Sequence, residues 1–449
     1  MSRPIVAIVG RPNVGKSTLF NALAGKTISI VKDTPGVTRD RIYADVEWSG
    51  YSFTVIDTGG IEPESADVIL RQMREQAQIA IDTADVIIFM VDLRSGLSDS
   101  DGKVADMLRK SGKPVVLCVN AVDNYKKQSP YIYEFYELGI GDPIPISAAN
   151  RQGIGDLLDE VTKDFDSIPA EEETSETPRI AVVGKPNVGK SSLINKLLGE
   201  NRVIVSDIAG TTRDAVDTPL KWHGKDYVFI DTAGLRRKSR VKEELERYTV
   251  IRTVTAVERA DVVVLVIDAV EGIAEQDAKI AGIAHERGKG IVIAVNKWDA
   301  VPDKNAQSTK EYELKVRRIL SYLSYAEILF ISAETGQRLP KLFASVDMVL
   351  ENQRRRIPTG VLNQILTDAV AMQAPPTDKG RRLKLFYMTQ VAVEPPTFVI
   401  FVNDKELMHF SYTRYIENQI RAAFPFRGTR LKFIIRERSE KDRTTIDTK

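Results

Sequence analysis

The stretch GRPNVGKST, formed by Gly10, Arg11, Pro12, Asn13, Val14, Gly15, Lys16, Ser17 and Thr18, returns as GKPNVGKSS at Gly184, Lys185, Pro186, Asn187, Val188, Gly189, Lys190, Ser191 and Ser192. Both copies fit GxxxxGK[ST], the loop that cradles phosphate between a buried strand and a helix. The apolar runs IVAIV (Ile5 to Val9) and IAVV (Ile180 to Val183) stand in front, and TLFNALAG and SLINKLLG follow. This order predicts strand, loop and helix twice over. A glycine-rich turn with an incidental lysine would match the pattern by chance in roughly 1 to 2% of chains, and two such matches are about a hundred times rarer.

The residue types suit the chemistry. Gly15 and Gly189 are expected to let backbone amides close around phosphate oxygens where a Cβ would collide. Lys16 and Lys190 would reach the β and γ phosphates as catalytic cations, and Ser17 and Ser191 would offer a hydroxyl to Mg²⁺. A second shared element is Asp57, Thr58, Gly59, Gly60, answered by Asp231, Thr232, Ala233, Gly234 at the same spacing of 47 from the loop (57 − 10 and 231 − 184). Each aspartate ends an apolar strand and so stands at the carboxyl edge of a sheet, where it can hold Mg²⁺ through water while the glycine amide senses a γ-phosphate. Between loop and aspartate lie PGVTRD and AGTTRD; Thr38 and Thr212 are expected to close over Mg²⁺ and the γ-phosphate in a switch segment.

The base is read further on. After the runs VVLCVN and IVIAVN, the second copy continues as Asn296, Lys297, Trp298, Asp299. A carboxylate in this NKxD pattern accepts from guanine N1–H and the exocyclic amine together, a pairing adenine does not offer, which predicts GTP rather than ATP. Ser147-Ala148 and Ser332-Ala333 would supply a backbone amide for guanine O6. The first copy departs from the pattern, reading Asn120, Ala121, Val122, Asp123. That site is expected to keep guanine selectivity through Asp123 but to hold nucleotide more weakly or release it faster. A nucleotide kinase shares the loop but does not predict NKxD or the doubled switch elements.

Hydrolysis raises a separate question. Signalling GTPases orient the attacking water with a glutamine directly after the aspartate-to-glycine element. Here Ile61 and Leu235 stand there, so intrinsic turnover is expected to be slow unless another group stabilises the transition-state charge.

Composition bounds the rest. The 449 residues, 43% hydrophobic and 28% charged, describe about three globular domains. No apolar run approaches the roughly 18 residues of a membrane span, and the first strand begins by Ile5, so a cytoplasmic protein without signal peptide or membrane anchor is expected. The lone Cys118 sits in an apolar run and reads as core packing. His223, His285 and His409 lack metal-ligand spacing. The net charge of +1 is uneven: residues 338–449 hold 20 Lys+Arg against 12 Asp+Glu, leaving the remainder at −7. An acidic partner for the C-terminal third is expected, RNA first.

Five guanine-nucleotide elements occurring twice, followed by a small basic domain, resemble the Der (EngA) family of bacterial GTPases over nearly the whole chain. The resemblance implies an α/β chain: two P-loop GTPase domains, each a mixed, mostly parallel sheet with helices on both faces, then a smaller α+β KH-like domain. The expected divisions are 1–165, an acidic linker at 166–178, 179–350, 351–436 and a disordered tail at 437–449. The KH-like region reads helix (360–372), strand (383–393), strand (397–402), helix (411–424), strand (430–435), and contains no GxxG, so charge and shape, with KGRRLK at 379–384, are expected to make its RNA or protein contacts. The resemblance further implies GTP hydrolysis to GDP in assembly of the large (50S) ribosomal subunit. The implied partners are that subunit or its precursor, ribosomal RNA and proteins, with no DNA or membrane, and a monomer is expected. By similarity to potassium-activated GTPases, Asn13 and Asn187 would help coordinate K⁺ beside the phosphates, in place of an arginine finger.

Overall fold

The computed structural model describes residues 3–24, 42–59, 66–166, 177–200, 217–230, 245–378 and 380–437. They fall into two compact units, one built on the first repeat together with residues 245–258, and one combining the rest of the second repeat with the C-terminal domain.

In the first unit, strands β1 (Ile5–Gly10), β2 (Tyr43–Trp48), β3 (Tyr51–Asp57), β4 (Val86–Asp92), β5 (Val115–Asn120) and β6 (Ile144–Pro145) form a sheet in the order β2-β3-β1-β4-β5-β6. Only the β2–β3 pair is antiparallel. The reason for the unbroken apolar run of β1 is visible in its neighbours: Val6 and Ile8 join one core, while Ile5, Ala7 and Val9 join the core on the opposite face. The helix Lys16–Ala24 lays Leu19, Phe20 and Leu23 into the first of these, each at most 3% exposed. Burial on that scale contributes about 2 kcal/mol per side chain and fixes the phosphate loop against the strand ends. Cys118 is part of the same core.

The second sheet repeats the first. Strands β7 (Arg179–Val183), β8 (Thr218–Trp222), β9 (Lys225–Ile230), β10 (Val262–Asp268), β11 (Gly290–Asn296) and β12 (Glu327–Phe330) run in the order β8-β9-β7-β10-β11-β12, again with one antiparallel pair, β8–β9. In β10, Val262, Val264 and Val266 lie in the core with Ile180 and Val182, and Val263, Leu265 and Ile267 are equally buried on the other side. Both sheets are thus mixed but mostly parallel, with every functional strand end on one edge.

The C-terminal domain follows the helix Leu339–Arg354, which runs across the expected 350/351 division. Its elements are the helix Thr359–Met372, a short hairpin of β13 (Thr377–Asp378) and β14 (Arg381–Arg382), β15 (Leu385–Ala392), β16 (Thr397–Val402), the helix Phe410–Ala423 and β17 (Lys432–Glu437). The αββαβ order stands as expected, with ends shifted by one or two residues; the hairpin in the basic segment was not anticipated. Strands β15 and β16 pair antiparallel and β16 and β17 parallel. Asn363 anchors the first helix to the sheet by accepting from Met388 N at 2.8 Å.

This domain and the second sheet are stitched together by backbone. Ile291 N donates to Gly428 O at 2.8 Å and Gly428 N donates to Tyr325 O at 2.7 Å. A side chain at 428 would meet Val349 Cγ2 at 2.1 Å, and φ there is +72°, so glycine is required at the seam. Arg430 Nη1 donates to the His285 carbonyl at 2.7 Å, and His285 Nδ1 lies 2.9 Å from the Tyr325 hydroxyl. Burial first and Arg430 second push the imidazole pKa down to about 3, so His285 stays neutral at the seam.

Candidate functional site

Each phosphate loop leaves the carboxyl end of the central strand of its sheet. Lys16 Nζ curls back and donates to the carbonyls of Gly10 and Arg11, both at 2.7 Å. Lys190 Nζ repeats this with Gly184 at 2.7 Å and Lys185 at 2.6 Å. Burial pushes both ammonium groups down to about 8, opposed by the charge of Asp57 in one copy and of Asp277 in the other. A phosphate oxygen beside such a lysine would favour its charged form again.

The loop and the strand-end aspartate meet. Ser17 Oγ donates to Asp57 Oδ2 at 2.9 Å, Gly59 N donates to Asp57 Oδ1 at 2.8 Å, and Thr58 Oγ1 donates to Ile8 O at 2.6 Å. A hydroxyl and a carboxylate converging beside a lysine form an all-oxygen donor set of the kind Mg²⁺ takes. Gly60, Ile61 and Thr38, and in the second copy Thr212, Asp231, Thr232, Ala233, Gly234 and Leu235, lie outside the described residues.

The asparagine of each base-reading element turns out to be the hub. Asn120 Nδ2 donates to Val14 O at 2.8 Å while its Oδ1 accepts from Ala148 N at 3.0 Å. Asn296 does the same with Val188 O and Ala333 N, both at 2.8 Å. One side chain therefore ties the phosphate loop, the base-reading strand end and the Ser-Ala turn into a single frame. It also gives a further reason for the loop glycines: a Cβ on Gly15 would stand 2.4 Å from Asn120 Nδ2, and one on Gly189 2.2 Å from Asn296 Nδ2, at φ of +99° and +97°. The amides read from sequence as partners for guanine O6 donate here to these asparagines. Asn13 and Asn187 adopt left-handed backbone at φ of 64° and 65°, a conformation asparagine tolerates well. Their exposed side chains make no hydrogen bond among the described residues.

The two copies diverge at the next residue. Positions 92, 120, 121 and 123 correspond to 268, 296, 297 and 299, each 176 later (268 − 92, 299 − 123). Ala121 and Lys297 share left-handed backbone, φ 68° and 59°, so the turn is kept although one side chain is truncated. Lys297 Nζ forms an ion pair with Asp268 Oδ2 at 2.6 Å, and Asp268 is 2% exposed. Trp298 packs edge-on against Phe330 with ring centroids 4.4 Å apart, and its counterpart Val122 is likewise buried.

The base-reading carboxylates differ more sharply. Asp123 Oδ1 accepts from Ser147 Oγ at 2.7 Å and from Asn150 Nδ2 at 3.0 Å, and Asp123 Oδ2 accepts from Arg94 Nη2 at 2.5 Å. The Ser147 hydroxyl first, then Arg94, holds this carboxyl below the usual carboxylate range. No described side chain pairs with the Asp299 carboxylate; Ser332 Oγ accepts from Thr335 N at 3.1 Å, as Ser147 Oγ accepts from Asn150 N at 3.3 Å, but makes no bond to Asp299. Arg94 and Asn150 were not found from sequence: each sits in a polar loop whose composition carries no chemical signature. The only signal was positional, an arginine at 94 where the second copy has Val270.

With this geometry in place, comparison with known proteins is direct. A family model described as a 50S ribosome-binding GTPase matches residues 5–121 and again 179–297. A second, the KH-domain-like C-terminal domain of EngA bacterial GTPase enzymes, matches residues 356–436. Among curated relatives, GTPase Der of Agathobacter rectalis and GTPase Der of Lachnoclostridium phytofermentans are each 71% identical over 442 residues, covering 98% of this chain and 100% of the relative. GTPase Der of Lachnospira eligens is 67% identical over the same span. Two GTPase domains and an EngA-type KH-like domain, in this order and at this identity, place the chain in the Der (EngA) family of GTP-binding GTPases.

Proposed function

We propose that the chain is a nucleotide-controlled switch that hydrolyses GTP to GDP and phosphate while acting in assembly of the large ribosomal subunit in the cytoplasm. The observation that carries this reading is the Asn-centred frame built twice, at Asn120 and Asn296, which sets a phosphate loop and a candidate guanine-reading carboxylate on one sheet edge.

In this mechanism the guanine is selected by Asp123 or Asp299, and the phosphates lie over the loop amides with Lys16 or Lys190 drawn to the β and γ oxygens. Mg²⁺ would be held by Ser17 and Ser191, with Asp57 and Asp231 behind them and Thr38 and Thr212 closing from the switch segments. When bound, the ion neutralises charge developing on the phosphate oxygens. Because Ile61 and Leu235 offer no side-chain hydrogen bond, the attacking water is not oriented from those positions. Asn13 and Asn187, exposed on the loops with uncommitted side-chain oxygens, would serve K⁺, which supplies the positive charge an arginine finger provides elsewhere. Turnover several-fold faster in KCl than in NaCl at equal ionic strength is expected, and equal rates would remove K⁺ from the scheme.

The partner assignment rests on the +8 charge of residues 338–449 and on the family description. Within the basic segment Arg381 is paired with Asp404 at 2.7 Å, whereas Arg382 and Lys384 are exposed. Those two are the stronger candidates for phosphate contact. The test is co-sedimentation of the monomer with ribosomal subunits under GDP, GTP and a non-hydrolysable analogue. The analogue should retain the protein on large-subunit particles that GTP lets it leave, and nucleotide-independent sedimentation would contradict the switch.

A further inference from the structure

The first base-reading carboxylate is paired with a cation, whereas among the described residues the second is not. In the second copy the positive charge stands on Lys297 and is spent on Asp268, leaving the Asp299 carboxylate without a described partner. In the first copy position 121 is alanine, no lysine among the described residues pairs with Asp92, and a positive charge stands instead on Arg94, paired to Asp123. Val270 occupies the place of Arg94 in the second copy.

The Arg94 side chain is exposed, but the backbone that carries it is held. Its turn is pinned from both sides: Leu93 N donates to Asn120 O at 3.0 Å and Arg94 N to Asp92 Oδ1 at 3.1 Å. From the phosphate loop, Arg11 Nη2 donates to Ser95 Oγ at 3.1 Å and to Gly96 O at 2.9 Å. The guanidinium is thus presented to Asp123 from a turn fastened to the phosphate loop and to the base-reading strand.

Guanine recognition by a carboxylate uses both oxygens, one for N1–H and one for the exocyclic amine. We propose that Arg94 is a latch on the first site, its guanidinium competing with the guanine base for Asp123 Oδ2. This rests on the reading of Asp123 as the guanine-selecting carboxylate. Guanine entry then requires the ion pair to part, so the first site binds guanine nucleotides more weakly than its carboxylate alone would allow. The latch is also loosened by salt, which gives the two sites different nucleotide thresholds in one chain. Both partners are solvent-accessible, with side chains 68% and 37% exposed, which limits the penalty to a factor of about two to five.

The experiment uses the full-length chain. Asp299→Asn turns the second site from guanine toward xanthine, whose C2 carbonyl accepts from an amide, so GDP then reports on the first site. In that background Arg94→Ala should tighten GDP binding about two- to fivefold. The gain should shrink as sodium chloride is raised at fixed KCl, because screening opens the native latch by itself. In the complementary chain, Asp123→Asn with Asp299 intact, xanthosine diphosphate reports on the first site, and Arg94→Ala should change its binding by less than the GDP gain, because the pair loses its charge and the amide oxygen accepts only a weaker hydrogen bond from the guanidinium. Weaker or unchanged GDP binding in the Asp299→Asn, Arg94→Ala chain overturns the latch, as does an equal gain in the Asp123→Asn background. If the Asp299→Asn chain bound GDP no better than ADP, the reading of Asp123 would fall and the latch with it.

Discussion

Replacing Asn296 by alanine isolates the hub on which the second site is built. The side chain is 1% exposed and satisfies two backbone groups, the Ala333 amide and the Val188 carbonyl, both at 2.8 Å and both on buried residues. Alanine leaves the amide buried without its acceptor, at about 1–3 kcal/mol, and the carbonyl with one fewer donor, at about 1 kcal/mol. The expected loss is therefore about 2–4 kcal/mol for the second unit. Asn120→Ala removes the matching pair of bonds in the first unit, but its side chain is only partly buried, so about 1–2 kcal/mol is expected there. Urea unfolding followed by tryptophan fluorescence separates the two, since Trp48 lies in the first unit and Trp222 and Trp298 in the second. The coupling with Gly189 sharpens the test. Gly189→Ala alone meets Asn296 Nδ2 at 2.2 Å and a φ of +97°, whereas in the Asn296→Ala chain only the backbone strain remains. The two substitutions should then be less than additive by more than about 1 kcal/mol. Additive costs, or a loss below about 1 kcal/mol for Asn296→Ala, would refute the hub.

Other outcomes follow from the same geometry. Ala121→Lys places a lysine on the backbone conformation that Lys297 uses, beside Asp92 in the register of Asp268. Release of fluorescent GDP from the first site, followed by stopped flow, should slow about three- to tenfold, and an unchanged rate would show that the lysine contributes nothing there. Because burial pushes Lys16 and Lys190 down to about 8, a phosphate that binds the charged form draws in a proton above that pH, so calorimetric GDP affinity should fall about fourfold from pH 7 to 8.5. His285, pushed down to about 3, resists protonation in the fold, so stability is complete above pH 6.5 and declines as pH falls toward 3. Between pH 6.5 and 5 the loss is about 2 kcal/mol, and urea midpoints of His285→Gln should be flatter across that window.

The parts of this molecule legible in sequence are those where one residue type has one use. The loop GxxxxGK[ST], the aspartate closing an apolar strand and the Asn-x-x-Asp pair each carry their chemistry in local spacing, and the repeat confirmed their register. The C-terminal elements were readable because Phe410–Ala423 and Thr359–Met372 alternate apolar and polar faces at helical spacing, while β16 is a short apolar run after a proline pair. What sequence did not disclose depends on contacts between distant segments. Arg94 lies 29 residues before Asp123, in a turn that reads as solvent-facing polar loop. The second role of Asn120 and Asn296, bracing a loop 106 or 108 residues earlier, exists only once the strands are side by side. His285 reads as an incidental helix residue until the Gly428 seam brings Arg430 and Tyr325 against it. The partner of Lys297 was also out of reach, since its pairing with Asp268 exists only once β10 and β11 lie side by side.

The measurement that bears most directly on the whole account is titration calorimetry of the full-length protein with GDP and with ADP under identical salt and magnesium. Two guanine sites are expected, the one containing Ala121 the weaker, with ADP at least about a thousandfold poorer at both. Adenine binding within tenfold of guanine at the Asp299 site would contradict the account, because a carboxylate with no described partner would then not be choosing the base.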